Sequence, residues 1–351
     1  MSQRFHPHPG PRGHTARPAS TLSRRSLLFG GVSAAALAAL SACGSDSGSP
    51  SDPGGDAGGP WEFTDDRGQK AARQTRPTRI VAQAGSAGAL WDLGIKPVGV
   101  FGEQNGSEIL LGNVDTSAVT WVGNTWGDFN VEKFASLTPD LLVTPVQSGD
   151  SLWYVPDAVV DKISAISAVV GIRYVETPVD KVIDRYADLA ASLGADLQAE
   201  SVVTAKTAFT AAGNALREAA TANAGLRVMV VSAAKENLYV ANPTMFSDLY
   251  HLKNLGVPFV TPVPPADEPH WEVLSWEQAD KHAADVILYD ARNASFFTTD
   301  LASYPTFARL PAVRAGQLYP WNLETPTSWA AFAPALTELA DKLAAAKAVT
   351  G

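Results

Sequence analysis

Short apolar runs alternate with amphipathic stretches along the chain from Trp61 onward. Apolar runs bounded by turn residues are typical of buried strands, and amphipathic stretches of helical period are typical of helices. The pattern predicts strands at residues 79–84, 97–101, 140–145, 227–233 and 286–290. It predicts helices at residues 86–94, 156–166, 246–256 and 327–348, and another that begins with Thr177 as its N-cap. This alternation favours an α/β fold with mostly parallel sheets.

The segment between the two alternating halves has a different pattern. Residues 196–223 are rich in alanine, contain no proline and have one interior glycine. They predict a single helix about 40 Å long, at ~1.5 Å per residue. We therefore predict two Rossmann-like lobes, residues 61–195 and 225–351, joined by a linking helix at 196–224, with a ligand cleft between the lobes. Because a helix is a stiff connection, a large hinge closure is less expected.

Composition and charge narrow the range of functions. The chain has 351 residues, of which 46% are hydrophobic, enough for two globular units. The first 43 residues hold five arginines and no acid, so the rest has 22 basic and 36 acidic side chains, a net charge of −14. Nucleic-acid binding needs clustered basic residues, so we expect no nucleic-acid partner. The single cysteine, Cys43, excludes a disulfide framework and a multi-thiolate metal site.

The first sixty residues have the pattern of an export signal and a tether. Arg24 and Arg25 precede an apolar run, and the pair resembles a twin-arginine export signal. The run ends in Leu40-Ser41-Ala42-Cys43, which resembles a bacterial lipobox and implies cleavage before Cys43 and lipidation of its sulfur. A short uncleaved anchor is the alternative. Residues 44–60 are almost wholly Gly, Ser, Pro and Asp, which predicts a flexible tether to the membrane.

Two segments share one spacing of tryptophan, glutamate and aspartate. WGDFNVEKFASLTPDLLV begins at residue 126 and WEVLSWEQADKHAADVIL at residue 271, and both follow W-x5-E-x7-D. The pattern places each tryptophan in a loop, each glutamate in the first turn of a capped short helix, and each aspartate before a buried strand. The corresponding residues are Trp126 with Trp271, Glu132 with Glu277, Asp140 with Asp285, and the caps Asn130 and Ser275. Unless the spacing is a coincidence, the lobes are related by a pseudo-two-fold axis, with the tryptophans as paired cleft walls.

These segments, in this order and beside a lipobox, resemble the substrate-binding lipoproteins of ABC importers for ferric siderophores, haem and cobalamin. The resemblance extends from Pro77 to Leu343. It implies a rigid two-lobed fold, no catalysis, no cofactor, and a protein anchored by lipid to the outer face of the cytoplasmic membrane. The ligand is expected to be a ferric chelate, with a haem or cobalamin as the alternative. The protein is expected to act as a monomer, with Glu132 and Glu277 meeting arginines of an ABC permease.

The resemblance also implies ligand contacts. Trp126 and Trp271 lie where cobalamin-binding relatives place tryptophans against the ligand. The further candidates, each with ordinary core packing as its alternative, are Trp153, Tyr154, Tyr239, Arg292 and Trp321. Where some hydroxamate-binding relatives place a ligand-contacting arginine, this chain reads TPVQSGD, and this departure weakens a claim of hydroxamate specificity. An aromatic cleft with few arginines favours a bulky, nearly neutral chelate over a polycarboxylate.

Other classes of function have weaker support in the sequence. Beyond the export segment the only histidines are His251, His270 and His282, and none has metal-ligand spacing with another, so we expect no direct metal site. The chain has no G-x-S-x-G turn, no P-loop and no GxGxxG after a strand. A membrane-tethered α/β hydrolase remains an alternative. A lipoprotein that binds other envelope proteins without a small ligand is a third.

Overall fold

The structure is a computed structural model that describes residues 59–104, 108–147 and 149–350. The predicted export signal, its lipobox Cys43 and residues 44–58 of the predicted tether lie outside the described residues. All described residues belong to one compact unit of the chain. Among them, no helix combines the length and the apolar character that crossing a bilayer requires.

The N-terminal half contains seven strands and five helices among the described residues. They are β1 (Trp61–Thr64), β2 (Lys70–Arg73), β3 (Ile80–Gln83), α1 (Ala84–Asp92), β4 (Gly99–Phe101), α2 (Glu108–Leu111), β5 (Thr120–Gly123), α3 (Val131–Ser136), β6 (Leu141–Val146), α4 (Asp157–Ile166), β7 (Ala168–Arg173) and α5 (Val179–Ser192). β1 and β2 form an antiparallel hairpin. The other strands form one sheet in the order β5-β4-β3-β6-β7, and every neighbouring pair in it is parallel. This is the N-terminal lobe.

The long helix α6 (Glu200–Ala222) connects this lobe to the C-terminal one. The elements that follow are β8 (Val228–Ala233), β9 (Asn237–Ala241), α7 (Ser247–Asn254), β10 (Trp271–Ser275), β11 (Val286–Asp290), α8 (Ala294–Phe297), α9 (Pro305–Ala308), α10 (Pro311–Arg314), β12 (Leu318–Trp321) and α11 (Trp329–Ala345), with short 3₁₀ turns at Trp276–Gln278, Ala291–Asn293 and Leu301–Ser303. The sheet order is β10-β9-β8-β11-β12. β8, β11 and β12 are parallel, whereas β9 is antiparallel to both of its neighbours.

The predicted fold class is confirmed, and the differences are local. The linking helix begins at Glu200 rather than at residue 196, and its 23 residues give it a length of about 34 Å. Thr177 is not the N-cap of α5, because Pro178 takes that position and the Thr177 hydroxyl donates to the carbonyl of Val175. The prediction that Trp271 lies in a loop is wrong, because it is the first residue of β10.

Successive strand residues point to opposite faces of each sheet, and this divides the core into three layers. In β3, Ile80 and Ala82 pack in the layer between the lobes, whereas Val81 packs on the other face of the N-terminal sheet. In β8, Val230 joins the same central layer and Val231 packs on the outer face of the C-terminal sheet. The central layer contains buried residues of both lobes, so the two sheets share one continuous hydrophobic core.

An aspartate precedes the corresponding strand in each sheet. Asp140 Oδ2 accepts hydrogen bonds from the backbone N–H groups of Thr78 and Arg79, both at 3.0 Å, just before β3. Asp285 Oδ2 accepts one from the N–H of Arg227 at 2.9 Å, just before β8. Each carboxylate therefore ties the amino end of the first strand of its sheet to that of the neighbouring strand. The shared position and role support the predicted internal repeat.

Polar and tightly packed contacts also join the lobes. His251 Nδ1 on α7 lies 3.0 Å from Asp180 Oδ1 on α5. A Cβ built on Gly88 of α1 would lie 2.9 Å from the Cβ of Pro326, so only glycine permits the approach of this C-terminal segment. The hydroxyl of Ser328 donates to Asp92 of α1 at 2.5 Å. Together with α6 and the shared core, these contacts oppose a large change in the angle between the lobes.

Candidate functional site

Three aromatic side chains form a cluster at the carboxyl end of the N-terminal sheet. The ring centroid of Trp126, which follows β5, lies 4.7 Å from that of Trp153 and 5.1 Å from that of Tyr154. Trp153 and Tyr154 follow β6, and their rings meet edge to face at 5.5 Å. Trp126 is 46% exposed although it is one of the largest apolar side chains. The structure therefore brings three of the predicted ligand contacts into one open aromatic surface, which we call the N-terminal wall.

The loop after β6 holds this wall in place through backbone bonds. The N–H of Trp153 donates to the carbonyl of Pro145 at 2.9 Å, and the Thr144 hydroxyl donates to the carbonyl of Trp153 at 2.7 Å. Tyr154 then adopts a φ of 62°, a left-handed conformation that is unfavourable for a bulky side chain. Strained backbone of this kind persists where the surrounding structure enforces it, often at ligand-binding positions.

A second aromatic surface lies on the C-terminal sheet. Tyr239 of β9 and Trp271 of β10 meet edge to face, with ring centroids 6.2 Å apart, and Trp271 lies 4.8 Å from Phe246. Val273 is the cross-strand partner of Tyr239 and is 47% exposed. We call Tyr239, Trp271 and Val273 the C-terminal wall. No turn or alternation pattern in the sequence indicated the β9–β10 pairing that brings Val273 beside Tyr239, or the contact of Phe246 with Trp271.

A charged group lies at the carboxyl ends of β11 and β12. Arg292 Nη2 lies 2.7 Å from Asp290 Oδ2, Arg292 Nε lies 2.9 Å from Asp290 Oδ1, and Arg292 Nη1 lies 2.5 Å from Glu324 Oε1. Asp290 is fully buried and also accepts a hydrogen bond from the Ser232 hydroxyl at 2.9 Å. The Arg292 side chain as a whole remains one-third exposed, at 33%. The structure therefore holds Arg292 in a fixed orientation with its charge already neutralised by two carboxylates.

This charged group faces the N-terminal wall across the cleft. Burial raises the pKa of the Tyr154 phenol, and the nearby charges of Glu324 and Glu103 raise it further, while Arg292 opposes them. Burial likewise raises the pKa of Glu324, an effect that Arg292 partly offsets. Because Tyr154 belongs to the N-terminal lobe and Arg292 and Glu324 to the C-terminal one, the carboxyl ends of the two sheets meet here. Ligands of open α/β sheets bind at such ends.

Trp321 lies behind the cleft and not on either wall. It is 6% exposed, and its indole N–H donates to Asp248 Oδ2 at 2.7 Å. Asp248 is itself buried, and burial raises its pKa to about 6, although the hydrogen bond from Trp321 opposes the increase. This interaction places the Trp321 indole in the core, the alternative that the sequence left open. We therefore leave Trp321 out of the proposed ligand contacts.

The two glutamates of the repeat have corresponding positions. Glu132 is exposed in the first turn of α3, whose cap Asn130 accepts a hydrogen bond from the N–H of Lys133 at 2.8 Å. Glu277 is exposed in the 3₁₀ turn Trp276–Gln278. A backbone hydrogen bond and the hydroxyl of Ser275 lower the pKa of Glu277. Each glutamate lies between the third and fourth strands, in chain order, of the five-stranded sheet of its lobe, so the topological correspondence holds for these acids.

The correspondence does not extend to the tryptophans. Trp126 follows β5, at the carboxyl end of the N-terminal sheet, whereas Trp271 begins β10. The five residues from Trp271 to Ser275 are a strand in one lobe, and the five from Trp126 to Asn130 are a loop in the other. The equal spacing therefore coincides with different local structures. Within the described residues, no three His, Cys, Asp or Glu side chains are arranged to hold a metal ion.

Comparisons with known proteins agree with this architecture. The sequence profile of the family described as "Periplasmic binding protein" matches residues 81–324. DesE, a ferric-siderophore receptor protein from Streptomyces coelicolor, is 38% identical in sequence to this chain. The match covers 82% of this chain and 99% of the DesE chain, and the crystal structure of DesE superposes with a TM-score of 0.76. The Fe(3+)-citrate-binding protein YfmC of Bacillus subtilis (strain 168) is 22% identical over 280 residues, which are 80% of this chain and 84% of YfmC.

A more distant structure shares the fold. The siderophore-binding protein FhuD of Vibrio cholerae, solved with Fe3+-Desferal bound, is 18% identical, with a TM-score of 0.57 over 76% of this chain and 98% of its own. The matching family consists of substrate-binding proteins of transport systems and not of enzymes, so the hydrolase alternative has no support. The profile match over most of the chain and the 38% identity to DesE establish that this chain belongs to the periplasmic binding protein family.

Proposed function

We propose that this chain captures a ferric siderophore outside the cytoplasm, between the N-terminal and C-terminal walls, and delivers it to an ABC permease. The observation that carries the proposal is the aromatic N-terminal wall beside an arginine neutralised by two carboxylates, together with a second aromatic surface on the C-terminal sheet. Aromatic side chains supply large apolar contact area to a bulky chelate at little entropic cost. The ferric-siderophore receptor DesE, 38% identical over 82% of the chain, supports the ligand class.

The charges of the cleft favour a chelate without net negative charge. Asp290 and Glu324 neutralise Arg292, and Glu103 adds a further negative charge near Tyr154, so these groups carry more negative than positive charge if all are ionised. Burying an anionic chelate here would add like-charge repulsion in a poorly solvated site. We therefore expect neutral or cationic hydroxamate chelates to bind more tightly than ferric citrate, although YfmC, a relative at 22% identity, is a citrate-binding protein.

Titration with two iron complexes tests the ligand. Ferric desferrioxamine, which carries no negative charge, should quench tryptophan fluorescence at micromolar concentration or below, and ferric citrate should bind at least ~10-fold more weakly. Trp126→Ala should weaken desferrioxamine binding ~10- to 100-fold, as expected when a central aromatic contact is lost. Trp91→Ala, which removes a partly buried indole of α1 with Lys96 over its ring, is the control and should leave affinity unchanged. Quenching by haem or cobalamin alone would contradict the proposed ligand.

The chain is further proposed to dock on its permease as a monomer through Glu132 and Glu277. Both acids are exposed, and they occupy corresponding positions in the two lobes. Glu132→Lys and Glu277→Lys should each reduce uptake of ferric desferrioxamine by cells while leaving its affinity for the purified protein unchanged. Full uptake by the double variant would contradict the docking proposal.

Lipid anchoring through Cys43 rests on the sequence alone. The Leu40-Ser41-Ala42-Cys43 motif at the end of the export segment supports it. In cells fed a fatty-acid analogue that can be labelled, the full chain should carry the label and sediment with membranes. Cys43→Ala should lose the label and be released, whereas Ser41→Ala, which keeps the acceptor sulfur, should retain at least part of it. Labelling of Cys43→Ala equal to that of the original chain would contradict the anchor.

A further inference from the structure

One carboxylate of the C-terminal lobe is buried at the lobe junction with only half of its hydrogen-bonding capacity used. Asp248, in the first turn of α7, is 2% exposed. Its Oδ2 accepts the hydrogen bond from the Trp321 indole, but its Oδ1 is buried without a hydrogen-bond partner among the described residues. Holding the indole does not by itself require a carboxylate, because a neutral acceptor can also bind an indole N–H.

Asp248 lies directly behind the charged group of the cleft. Trp321 is the last residue of β12 and pairs in register with Asp290, the last residue of β11. Asp290 in turn binds Arg292 at 2.7 Å. One indole and one pair of neighbouring strand ends therefore separate Asp248 from the arginine of the cleft. The charge of Arg292 opposes the burial that raises the pKa of Asp248, so the two groups interact.

The charge of Asp248 also acts across the lobe junction. Tyr174 directly follows β7, at the carboxyl end of the N-terminal sheet. Burial raises the pKa of its partly exposed phenol, and the charges of Asp248 and Glu324 raise it further, while Arg292 opposes them. A charge at Asp248 therefore reaches the ends of both sheets, where Arg292 and the N-terminal wall lie.

No cation compensates the charge of Asp248. The histidine one turn along α7, His251, lies 3.0 Å from Asp180 of α5 and stacks on Phe209 of α6, so it belongs to a separate pair. Asp248 forms no ion pair among the described residues, and Arg292 is already bound by two other carboxylates. When Asp248 is ionised, it therefore places an uncompensated negative charge behind the cleft.

We propose that Asp248 is a specificity-determining residue of the cleft, whose buried carboxylate favours cationic chelates over anionic ones and loses this discrimination when it is protonated. The inference rests on the proposed function and names the property of the chelate that the cleft selects. Trp321 separates Asp248 from the cleft, so the carboxylate acts through its charge and not by contact. A charge in a poorly solvated region acts more strongly at a distance than one in water.

The sign of the pH dependence follows from the burial of the carboxyl group. Burial raises the pKa of Asp248 to about 6. The carboxylate is therefore charged above that pH, where the discrimination between cationic and anionic chelates is present. The discrimination is lost as the pH falls through about 6.

Three forms of one ferric trihydroxamate test the charge dependence without a change at the iron. Ferric desferrioxamine carries a terminal ammonium, N-acetylation removes that charge, and N-succinylation replaces it with a carboxylate. For the full chain at pH 7.5 the affinity should decrease from the cationic to the neutral to the anionic form. In Asp248→Asn the ratio of cationic to anionic affinity should fall ~10-fold, because one buried charge that acts on both ligands is lost.

Two controls accompany this variant. Unchanged binding of the neutral chelate by Asp248→Asn verifies that the variant is folded. Asp180→Asn removes a carboxylate at the same junction that is 32% exposed and paired with His251, and it should change the ratio less than ~2-fold.

The pH dependence distinguishes an electrostatic role from a structural one. Between pH 7.5 and pH 5 the ratio for the original chain should approach that for Asp248→Asn, which itself should change much less. Calorimetry at pH 6 in buffers of different ionisation enthalpy should detect proton release when the cationic chelate binds and proton uptake when the anionic one binds. Each ligand shifts the ionisation of Asp248 in proportion to its own charge, because the two equilibria are linked. Asp248→Asn should abolish this opposition of sign.

The failure of this inference is distinguishable from that of the proposed function. An unchanged affinity ratio in Asp248→Asn at pH 7.5 would overturn the role of Asp248, while binding of the chelates would leave the proposed function intact. A pH dependence retained in full by Asp248→Asn would overturn it as well and assign the effect to Glu324 or His270, two other groups near the walls whose pKa is shifted. Failure of every chelate to bind the original chain would instead overturn the proposed function.

Discussion

The two lobes share a strand order and differ in how the strands are connected. In the N-terminal lobe every strand of the sheet is parallel, whereas in the C-terminal lobe the tight β8–β9 turn makes β9 antiparallel. In the five-stranded sheet of each lobe, an aspartate precedes the fourth strand in chain order and a glutamate lies between the third and fourth strands. They differ in the walls of the cleft, since one wall lies on loops and the other on the face of a sheet. The framework and the exposed glutamates thus repeat, while the aromatic surfaces are particular to each lobe.

The largest expected difference between the lobes is in how much their two aspartates, Asp140 and Asp285, contribute to the free energy of unfolding. Asp285 is 1% exposed and also accepts hydrogen bonds from the N–H groups of Val349 and Thr350 at 2.8 Å, while Asp140 is 28% exposed. Asp285→Ala removes the buried acceptor of several half-buried donors and should lower the free energy of unfolding by about 3–5 kcal/mol. Asp140→Ala should lower it by about 1–2 kcal/mol. Urea denaturation measures both, with the exposed Asp280→Ala as the control.

The pH dependence of this effect has a definite sign. Burial alone would raise the pKa of Asp285, but hydrogen bonds from Thr350, Val349 and Arg227 outweigh it and lower the pKa to about 2. A lowered pKa means that the stabilisation is complete above the ordinary value near 4 and is lost as the pH falls through about 2. The destabilisation by Asp285→Ala should therefore be constant from pH 5 to 8 and shrink in strong acid. If Asp140→Ala lowered the free energy of unfolding as much as Asp285→Ala, the expected difference between the two aspartates would be contradicted.

The two sides of the lobe junction differ in how they satisfy buried polar groups. In the N-terminal lobe the hydroxyls of Ser86 and Tyr186 bond to each other at 2.6 Å. In the C-terminal lobe Asp248 Oδ1 is buried without a hydrogen-bond partner among the described residues. Its pKa is about 6, above the ordinary value, so the folded state binds the proton more tightly than the unfolded state. The contribution of protonated Asp248 to stability is fully present below pH 4 and declines as the pH rises through about 6.

Asp248→Asn should therefore stabilise the protein at pH 7.5. The difference between a pKa of about 6 and the ordinary value corresponds to up to roughly 3 kcal/mol, and the gain should vanish near pH 4. The amide oxygen can still accept the hydrogen bond from Trp321. Tyr186→Phe, on the other side of the junction, should lower stability by about 1 kcal/mol with little dependence on pH. Thermal denaturation at both pH values measures the effects, and a destabilised Asp248→Asn at pH 7.5 would refute the argument.

The hydrogen bond between His251 and Asp180, which joins the lobes, gives the smallest expected effect. The hydrogen bond to His251 lowers the pKa of Asp180, and desolvation only partly opposes it. The stabilisation is therefore present above the ordinary pKa near 4 and is lost at lower pH. A double-mutant cycle of Asp180→Asn and His251→Phe should give a coupling of about 1 kcal/mol at pH 6. Phenylalanine retains the stacking of residue 251 on Phe209. The same double-mutant cycle on Lys181 and Asp184, an exposed pair within α5, should give a smaller coupling free energy.

Much of the framework was predictable because it depends on local signals. The strands β3, β6, β8 and β11 are apolar runs of the expected length, and α6 is an uninterrupted alanine-rich segment. The repeat placed Glu132 and Glu277 correctly because capping residues and turn positions are read within a few residues of each other. The strands β9 and β10 were missed because they are half-exposed and lack the continuous apolar run of a buried parallel strand.

The candidate site was predictable in composition but not in arrangement. Trp153 and Tyr154 contact Trp126 because the loop after β6 folds back and Trp153 forms hydrogen bonds with Thr144 and Pro145. No local pattern in the sequence indicates these hydrogen bonds. Trp321 could not be distinguished from a cleft residue, because its partner Asp248 is more than seventy positions away in the chain. The neutralisation of Arg292 by Asp290 was accessible from spacing alone, whereas that by Glu324 was not.

The order of apolar and polar residues by itself determined the alternating α/β elements, the stiff helix between the halves, the repeated acids and aspartates, and the family that these features resemble. All of these depend on interactions within a few residues or on short motifs. Only the tertiary structure decided which aromatic rings face the cleft, which indole is buried, and which carboxylates surround Arg292. Those outcomes depend on contacts between residues far apart in the chain, whose energies depend on burial and distance and leave no periodic trace in the sequence.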